Sequence, residues 1–367
     1  MRIAIVNSNI GRKIVGDKVL LKLAELLAKE NDVDVVYYKI PEVVVKDVLK
    51  FIGNARLVCL KQGEAGGFMY TVKYSYGGIP DIILFNYLKR TQYDAIIVVS
   101  SGPVWWLAFL YKVFIPERRP VVCLVATDPP LGASITFYGT GKHSSSKGVK
   151  ENIIMTMQRF RLKYFDVVFG QSNWSNKIFE KYFDVNPVGL SGAFDERVFK
   201  FTPIESKSEP YIAVPTVSLD GTRMEIIRRL YADGIKMRLY GPKKVGVGDE
   251  SGYVPEGAMV DILRSASSTL FLFDYEGLGL IPFESLALGT PVITEARLGP
   301  YSELHDNRYV RFVDIDNYDE ILNACRWSLN SKISPEERRE ISESVRDRTF
   351  QNFSITIEGT LRKITGA

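Results

Sequence analysis

The segment Glu276-Gly-Leu-Gly-Leu-Ile-Pro-Phe-Glu-Ser-Leu-Ala-Leu-Gly-Thr-Pro291 carries the most specific pattern in this chain of 367 residues. The apolar run at 269–273 before it predicts a buried strand, and the residues after the glycines predict a helix that Pro282 can start. Gly277 and Gly279 let backbone amides approach a ligand closely. Because the first N–H groups of a helix have no partner within it, its N-terminus favours an anion. The segment therefore predicts a strand, a glycine turn and a helix arranged as an anion site.

Two carboxylates flank this turn, Glu276 before the glycines and Glu284 one turn into the predicted helix. Carboxylates accept hydrogen bonds from hydroxyl groups, whereas backbone amides bind phosphate oxygens. The combination suits a sugar nucleotide. The alternative interpretation is a glycine-rich turn from strand to helix with two solvated glutamates.

Outside this segment, apolar runs alternate with amphipathic stretches along the whole chain. Predicted strands lie at 2–7, 34–38, 56–60, 95–99, 121–126, 166–171, 211–214, 236–240, 269–273, 291–294 and 309–313. Predicted helices lie at 17–29, 149–164, 222–232, 256–266, 282–288, 317–329 and 335–365. Apolar strands that alternate with helices predict an α/β fold with parallel sheets covered on both faces.

The pattern restarts near residue 211, so we expect two Rossmann-like domains facing a cleft. The first spans 1–188 and is completed by a helix at about 347–367, and the second spans 189–346. In such sheets ligands bind at the carboxyl ends of the strands.

Two regions of the first domain allow more than one interpretation. The runs at 56–60 and 68–74 predict a hairpin, and the aromatic residues of 62–80 form either an acceptor-binding wall or the hairpin's own core. Residues 95–115 are nearly uncharged, but the turn at 100–103 makes a strand and a buried helix a better interpretation than a membrane span. Trp105 and Trp106 suit core packing or contact with a bilayer surface.

The amino-acid composition limits the class of protein and the cellular compartment that are expected. Hydrophobic residues make up 46 % of the chain and the net charge is +4, so we expect a globular protein that does not bind nucleic acid. Anionic substrates or a peripheral membrane contact are compatible with that charge. Three scattered cysteines form neither a disulfide framework nor a zinc site, and Cys59 and Cys123 are expected to be buried. A cytoplasmic location fits, since the N-terminus lacks signal-peptide anatomy.

Three nucleotide and metal motifs are weak or absent. Gly11 and Gly16 nearly match a phosphate-binding loop, but Asp17 stands where its lysine is required, which leaves Gly11 as a candidate for backbone contact with a ligand. The glycine fingerprint of nicotinamide dehydrogenases is missing. Asp314 and Asp316 either bind a divalent cation or cap a turn, and we predict neither a metal nor a cofactor.

The Glu-x7-Glu spacing of the segment 276–291 resembles the donor motif of family 4 glycosyltransferases, which have the two-domain GT-B fold. Further segments resemble the family in the same order along the chain. They are 166–173 before the linker, 192–199 in the linker, 252–254 before the donor motif and 300–304 after it. The resemblance is clear from about 160 to 350.

This resemblance implies retaining transfer of a sugar from a nucleotide-sugar donor, without an obligatory metal, to a glycan, lipid or protein acceptor. Glu276 would be the catalytic contact to the donor sugar, Glu284 would bind the ribose, and Tyr253 would contact the base. The leaving phosphate would help to accept the acceptor's proton. The sugar and the diphosphate would bind to the backbone of Gly277, Leu278, Gly279 and Leu280.

The chain departs from the family where an arginine and a lysine usually grip the diphosphate, because Thr216 and Asp220 occupy those positions. Each lost charge-assisted contact is worth about 1.5–3 kcal/mol. Arg223 is the nearest replacement, and we predict that it grips the diphosphate. Further cations in reserve are Lys243, Lys244 and Arg297.

A second departure follows the strand at 121–126. Many relatives have a histidine there, whereas this chain has Asp128, which either orients the acceptor hydroxyl as a catalytic residue or caps a turn. Two alternative functions therefore stay open: a catalytically silent GT-B protein that binds a nucleotide sugar or glycan, and a nucleotide-sugar epimerase.

Overall fold

The computed structural model describes residues 1–9, 18–62, 79–99, 106–117, 119–126, 149–190, 194–203 and 209–367. The chain divides into two compact units, which are Met1–Leu190 together with Gln351–Ala367, and Ser191–Phe350. Each unit is built around one parallel sheet.

The first unit has an apolar parallel sheet whose central strand is buried on both faces. Its strands are β1 (Arg2–Asn9), β2 (Asp32–Ile40), β3 (Arg56–Gln62), β4 (Ala95–Val99), β5 (Val121–Ala126), β6 (Val167–Gly170) and β7 (Val188–Gly189). Its helices before the linker are α1 (Lys18–Leu27), α2 (Glu42–Phe51), α3 (Ile79–Leu88), α4 (Trp106–Phe114), α5 (Val149–Leu162) and α6 (Asn173–Phe183). The strand order is β3-β2-β1-β4-β5-β6-β7.

The second unit repeats this arrangement with shorter strands. Its strands are β8 (Ile212–Pro215), β9 (Met237–Tyr240), β10 (Asp249–Glu250), β11 (Ser268–Phe271), β12 (Val292–Glu295) and β13 (Val310–Val313). Its helices are α7 (Gly221–Ala232), α8 (Glu256–Ser265), α9 (Leu280–Ala287), α10 (Leu298–Leu304), α11 (Tyr318–Asn330) and α12 (Pro335–Glu343). The last helix, α13 (Phe350–Thr365), belongs almost entirely to the first unit.

The strand order of the second sheet determines where a ligand can bind. The order is β10-β9-β8-β11-β12-β13, so the chain runs outward in one direction from β8 and in the other from β11. In doubly wound sheets of this type the crevice for a ligand opens where the order reverses, at the carboxyl ends of the two central strands. The predicted α/β fold with two Rossmann-like sheets is confirmed.

Alternation along β8 explains why both faces of the second sheet are covered. Ile212 and Val214 point to the side that carries α7 and α11, and Ala213 points to the opposite side, where Phe283 of α9 packs. Successive residues of a strand face opposite sides, so a fully apolar strand is buried on both.

The predicted closing helix at 335–365 is wrong, because the structure ends α12 at Glu343 and begins α13 at Phe350. Thr349 forms a bridge with Phe194 of the linker, and Arg348 forms an ion pair with Glu303. A turn at 344–347 and these long-range contacts interrupt a stretch whose local pattern is compatible with a helix.

Two smaller expectations also need correction. Cys59 is half-buried, because β3 is the edge strand of its sheet, whereas Cys123 is buried as expected. Helix α9 begins at Leu280, so Pro282 lies within its first turn, where a missing N–H costs no hydrogen bond.

The predicted strand at 68–74 and Trp105 lie outside the described residues, and Trp106 is half-buried at the start of α4. None of the described helices combines the length and apolarity that crossing a bilayer requires.

Candidate functional site

The loop after β11 lies where the strand order of the second sheet reverses. The backbone N–H of Asp274 donates to the carbonyl of Ser218, 3.0 Å away, which joins this loop to the segment after β8. The hydroxyl of Ser218 also donates to a carboxylate oxygen of Glu276. The half-buried Glu276 is thus held at the carboxyl ends of β8 and β11, as expected for a ligand-binding group.

The shape of this loop depends on the absence of side chains at two glycines. Gly279 has a φ of 73°, and a Cβ atom there would lie 3.0 Å from Pro300 and 3.1 Å from the ring of Phe271. At Gly299, in the first turn of α10, a Cβ atom would lie 2.0 Å from the carbonyl oxygen of Gly277. The first turn of α10 therefore packs directly against the backbone of the loop.

Leu298, the residue before Gly299, has a left-handed backbone with a φ of 59°. Such a conformation costs a non-glycine residue about 1–3 kcal/mol, and it is maintained only where the surrounding packing enforces it. The strained residue adjoins the glycine contact with the loop. This combination of strain and close packing is typical of functional sites.

Glu284 projects from α9, which is fixed to the sheet by buried hydroxyl groups. The hydroxyls of Ser285 and Thr269 are 2.7 Å apart, and that of Ser285 also donates to the carbonyl of Thr290. Glu284 itself is only 8 % exposed. Burial and, secondarily, the Glu284 carboxylate raise the pKa of Tyr240 well above its usual value. The buried hydroxyl of Tyr240 has no hydrogen-bond partner among the described residues.

A buried carboxylate, that of Glu295 at the end of β12, binds two arginines beside the loop. Arg223 donates to it through Nε and Nη2, at 2.6 and 2.8 Å, and Arg297 donates through Nε at 2.8 Å. The backbone N–H of Phe273 donates to the same carboxylate at 2.9 Å. The described donors to Glu295 are guanidinium groups and one backbone N–H, which is how buried carboxylates are stabilised.

The two arginines of this network differ in accessibility. The side chain of Arg223 is 5 % exposed and also forms an ion pair with Asp220 at 3.1 Å. Burial alone lowers the pKa of Arg223, but hydrogen bonds and charge from Glu295 and Asp220 outweigh it, so its pKa is raised. Arg297 is 27 % exposed and donates through Nη2 to the carbonyls of Phe273 and Asp274. Its Nη1 makes no hydrogen bond within the described part of the chain.

The residues in the family's arginine and lysine positions have structural contacts of their own. Thr216 accepts a hydrogen bond from the N–H of Lys243 at 3.2 Å, and Asp220 caps α7 by accepting from the N–H of Arg223. The ammonium group of Lys243 donates to the carbonyl of Leu219 at 2.5 Å. Neither position supplies a positive charge to a ligand.

A small cavity of about 170 Å³ lies beyond the end of β9, close to Thr216. Its walls include Tyr240, Gly241 and the exposed Lys244, and Gly252 closes it by accepting a hydrogen bond from the N–H of Gly241. Tyr253, the predicted base contact, follows Gly252 and is 61 % exposed.

Several predicted or considered site residues lie elsewhere. Gly11 and Asp128 fall outside the described residues. Asp314 and Asp316 are exposed, and Asp314 accepts a hydrogen bond from the N–H of Asp316, as expected for the turn interpretation. Within the ranges described, no group of three or more candidate ligands could hold a metal ion.

Residues that the sequence does not indicate complete the site: Ser218, Tyr240, Glu295 and Gly299. Tyr240 ends a predicted strand and Glu295 directly follows another, and the carboxyl ends of parallel strands are where ligands bind. That rule is the one signal that could have selected these two residues. Ser218 and Gly299 are defined only by tertiary contacts.

Residues 250–348 match the sequence model of the family described as glycosyl transferases group 1. The matched range contains Glu276, Glu284, Glu295, Arg297 and Gly299. The match therefore supports glycosyl transfer as the chemistry of this region. No curated protein matches the chain.

Solved structures share the fold along the full chain. Sucrose-phosphate synthase from Thermosynechococcus elongatus matches with a TM-score of 0.71 and 13 % identity, over 100 % of this chain and 99 % of that one. Anabaena HepE, in complex with UDP and glucose, matches with a TM-score of 0.72 and 11 % identity, over 99 % and 100 %. WaaG, a glycosyltransferase involved in lipopolysaccharide biosynthesis, matches with a TM-score of 0.66 and 13 % identity, over 100 % of both chains. The two Rossmann-like sheets thus belong to a GT-B fold.

The contact between Gly299 and the loop leads to a first prediction. Gly299→Ala should force the Gly277 carbonyl away, because the new methyl group would lie 2.0 Å from it, and should destabilise the second unit by about 1–3 kcal/mol. Gly257→Ala is a matched control, since Gly257 is the second residue of α8 and a Cβ atom there meets nothing within 4 Å. The control should be neutral or stabilising by up to about 1 kcal/mol. Urea unfolding of both variants measures the difference, and equal stabilities would show that α10 does not constrain the loop.

Proposed function

We propose that this chain is a retaining glycosyltransferase that binds its nucleotide-sugar donor at the loop after β11 and the start of α9. One observation carries the proposal: Glu276 and Glu284 flank one glycine turn at the strand-order reversal of the second sheet, within the range that matches the group 1 family. Carboxylates on either side of free helix N–H groups provide acceptors for hydroxyls and donors for phosphate in one place.

Each part of the turn has a proposed role. Glu276, oriented by Ser218, contacts the donor sugar next to the reacting carbon. The backbone of 277–280 donates to the sugar and the diphosphate. Glu284 is buried beside the turn, and its carboxylate oxygens are suitable acceptors for the two ribose hydroxyls. Tyr253 contacts the base from its exposed position.

The cation that offsets the diphosphate charge is proposed to be Arg297 in direct contact, with Arg223 acting behind it. Arg297 is the more exposed of the two, and its Nη1 has no described hydrogen-bond partner. The sequence favours Arg223 for this role, but its guanidinium is enclosed by Glu295 and Asp220. A charge-assisted hydrogen bond to phosphate would contribute about 1.5–3 kcal/mol.

The donor class is proposed from two considerations. The site supplies hydroxyl acceptors and phosphate donors together, and Anabaena HepE, which shares the fold, has structures with UDP-glucose and with UDP and glucose. UDP-glucose is therefore the first donor to test. The acceptor, a glycan, a lipid or a protein, is proposed to bind to the first unit, with Asp128 orienting its hydroxyl.

The transfer is proposed to retain the configuration of the sugar and to need no metal. The protein is proposed to act in the cytoplasm, with peripheral membrane contact. Retention would follow a path in which the leaving diphosphate accepts the acceptor's proton, so that no separate base is required. Arg297 and the amides of α9 would then stabilise the leaving group in place of a cation from solution.

The second candidate is a catalytically silent GT-B protein that binds a nucleotide sugar or glycan. It is favoured by Thr216 and Asp220, which replace the usual cations and are already engaged in structural hydrogen bonds. A nucleotide-sugar epimerase is a third candidate, which would produce a new isomer without any acceptor.

Donor turnover separates these candidates. The wild-type chain should slowly release UDP and glucose from UDP-glucose, or the corresponding products from another donor in a panel of UDP-, GDP- and ADP-sugars. Glu276→Gln should lower kcat about 100-fold, because it removes the charge beside the reacting carbon. Glu284→Gln should raise the donor KM about tenfold, through lost ribose binding.

Glu225→Gln serves as the control for this experiment, since the Glu225 side chain is 62 % exposed on α7 and, among the described residues, forms an ion pair with Arg228 alone. Binding without release for every donor would favour the silent protein, and a new isomer would favour the epimerase. If no donor in the panel binds, the proposed function is wrong.

A further prediction distinguishes the two arginines. Arg297→Ala should lower kcat/KM for the donor about 10–100-fold with little loss of stability, because a direct phosphate contact is removed. Arg223→Ala should instead destabilise the fold by about 3–5 kcal/mol, because it leaves the buried Glu295 carboxylate without one of its charge partners. Donor kinetics and urea unfolding, run on both variants, measure this. Wild-type kinetics in Arg297→Ala would return the diphosphate role to Arg223.

A further inference from the structure

A second, larger pocket lies in the same unit as the candidate donor site but at the opposite edge of its sheet. Its volume is about 860 Å³, and its floor includes Ser268, Val292 and Val310, the first residues of β11, β12 and β13. The candidate donor loop follows the carboxyl ends of these parallel strands. The two sites are therefore separated by the length of the strands.

An exposed tryptophan forms one wall of this pocket. Trp327, near the end of α11, is 56 % exposed, and the guanidinium carbon of Arg311 lies 5.8 Å from its ring centroid. An indole face in a polar surface is a binding surface for a flat ligand that has both C–H and hydroxyl groups. Further apolar lining comes from Ile293, Ile333 and Ile341.

A hydrogen-bonded ridge divides this pocket from a neighbouring one of about 630 Å³. Glu340 of α12 accepts from the hydroxyl of Tyr309 at 2.8 Å and from Nη2 of Arg308 at 2.6 Å. These three residues line both pockets. The two pockets therefore adjoin, which gives space for an extended ligand with several similar units.

The charges around the larger pocket balance. Three cationic side chains line it and three carboxylates face them: Arg308, Arg311, Lys332, Glu336, Glu337 and Glu340. A phosphate or an acidic polymer would gain no net attraction there, whereas a neutral ligand with many hydroxyl groups would find both donors and acceptors.

Two buried serines add unused hydrogen-bonding capacity to the wall. The hydroxyls of Ser268 and Ser328 have no hydrogen-bond partner among the described residues, although both residues line the pocket. A buried polar group without a partner in a folded protein requires an explanation, and a missing ligand is one.

We propose that this pocket binds a neutral oligosaccharide, separately from the donor site. A pyranose ring packs against Trp327, and the hydroxyls of that ring and its neighbours hydrogen-bond to Arg311 and to the ridge of Arg308, Tyr309 and Glu340. A second glycan site at the far edge of the sheet would retain a long acceptor or product chain on the protein. The inference goes beyond the proposed function, since glycan binding is measured without any donor.

The test is titration of the full chain with defined neutral oligosaccharides: maltoheptaose, cellohexaose, xylohexaose, mannohexaose and a β-linked galactohexaose. Isothermal titration calorimetry, together with tryptophan fluorescence, should show saturable binding of at least one of them. Trp327→Ala should weaken that binding about tenfold or more, because it removes the stacking surface. Tyr231→Ala is the matched control, since Tyr231 is a 47 % exposed aromatic residue of the same unit outside the pocket, and it should bind like the wild type.

Ser328→Ala gives a second readout that does not depend on removing a large side chain. Its melting temperature should equal or exceed that of the wild type, because the hydroxyl has no described partner to lose. Its affinity for the same oligosaccharide should fall about threefold or more, because a hydroxyl of the ligand is proposed to pair with the hydroxyl of Ser328 in the pocket wall.

Three results would overturn the inference: no binding of any of the five oligosaccharides, binding that Trp327→Ala leaves unchanged, or selective binding of a sulfated glycan such as heparin hexasaccharide in their place. Because donor turnover is not part of the readout, a failed glycan titration leaves the proposed function standing. Failure of the donor panel likewise leaves the glycan test valid.

Discussion

The carboxylate of Glu295 is the interaction on which the geometry of the candidate site depends. It is buried at the end of β12 and receives two guanidinium groups and the N–H of Phe273, so it joins β12, the loop after β11 and α7. Removing one partner of a buried ion pair costs about 3–5 kcal/mol, because the remaining charge is left uncompensated. The network therefore fixes Arg297 next to the loop and also explains why Arg223 is poorly accessible to a ligand.

The second constraint is the close packing of α10 on the loop. Because Gly299 has no side chain, the backbone of α10 lies against the Gly277 carbonyl. Gly279 turns the chain with a positive φ, and Leu298 adopts a strained left-handed conformation. Loop residues held in this way do not need to reorganise when a ligand binds, which lowers the entropic cost of binding. The glycine positions, the backbone conformation of the loop and the orientation of Glu276 and Glu284 therefore depend on one another.

The sequence predicts the elements whose signal is local. Apolar runs and 3.6-residue periodicity locate most strands and helices, and the spacing of Glu276 and Glu284 locates the glycine turn. The sequence does not predict contacts between residues that are far apart along the chain. Examples are Ser218 with Glu276, separated by 58 residues, and Arg223 with Glu295, separated by 72. For the same reason the sequence predicts one helix at 335–365 where the structure has α12 and α13, because the bridge from Phe194 to Thr349 has no local signature. The sequence shows which residues are cationic, but it does not show whether carboxylates enclose them in the folded chain.

Hydrogen–deuterium exchange of the full chain, with and without nucleotide sugars, tests whether segment 276–291 is the donor site, since it reports where a donor binds. With UDP-glucose, or the donor that binds best, peptides covering 274–288 should lose exchange more strongly than any others in the second unit. Peptides from β13 and α11 should be unchanged. A bound donor that protects another region and leaves 274–288 as in the free protein would contradict the assignment of this segment as the donor site.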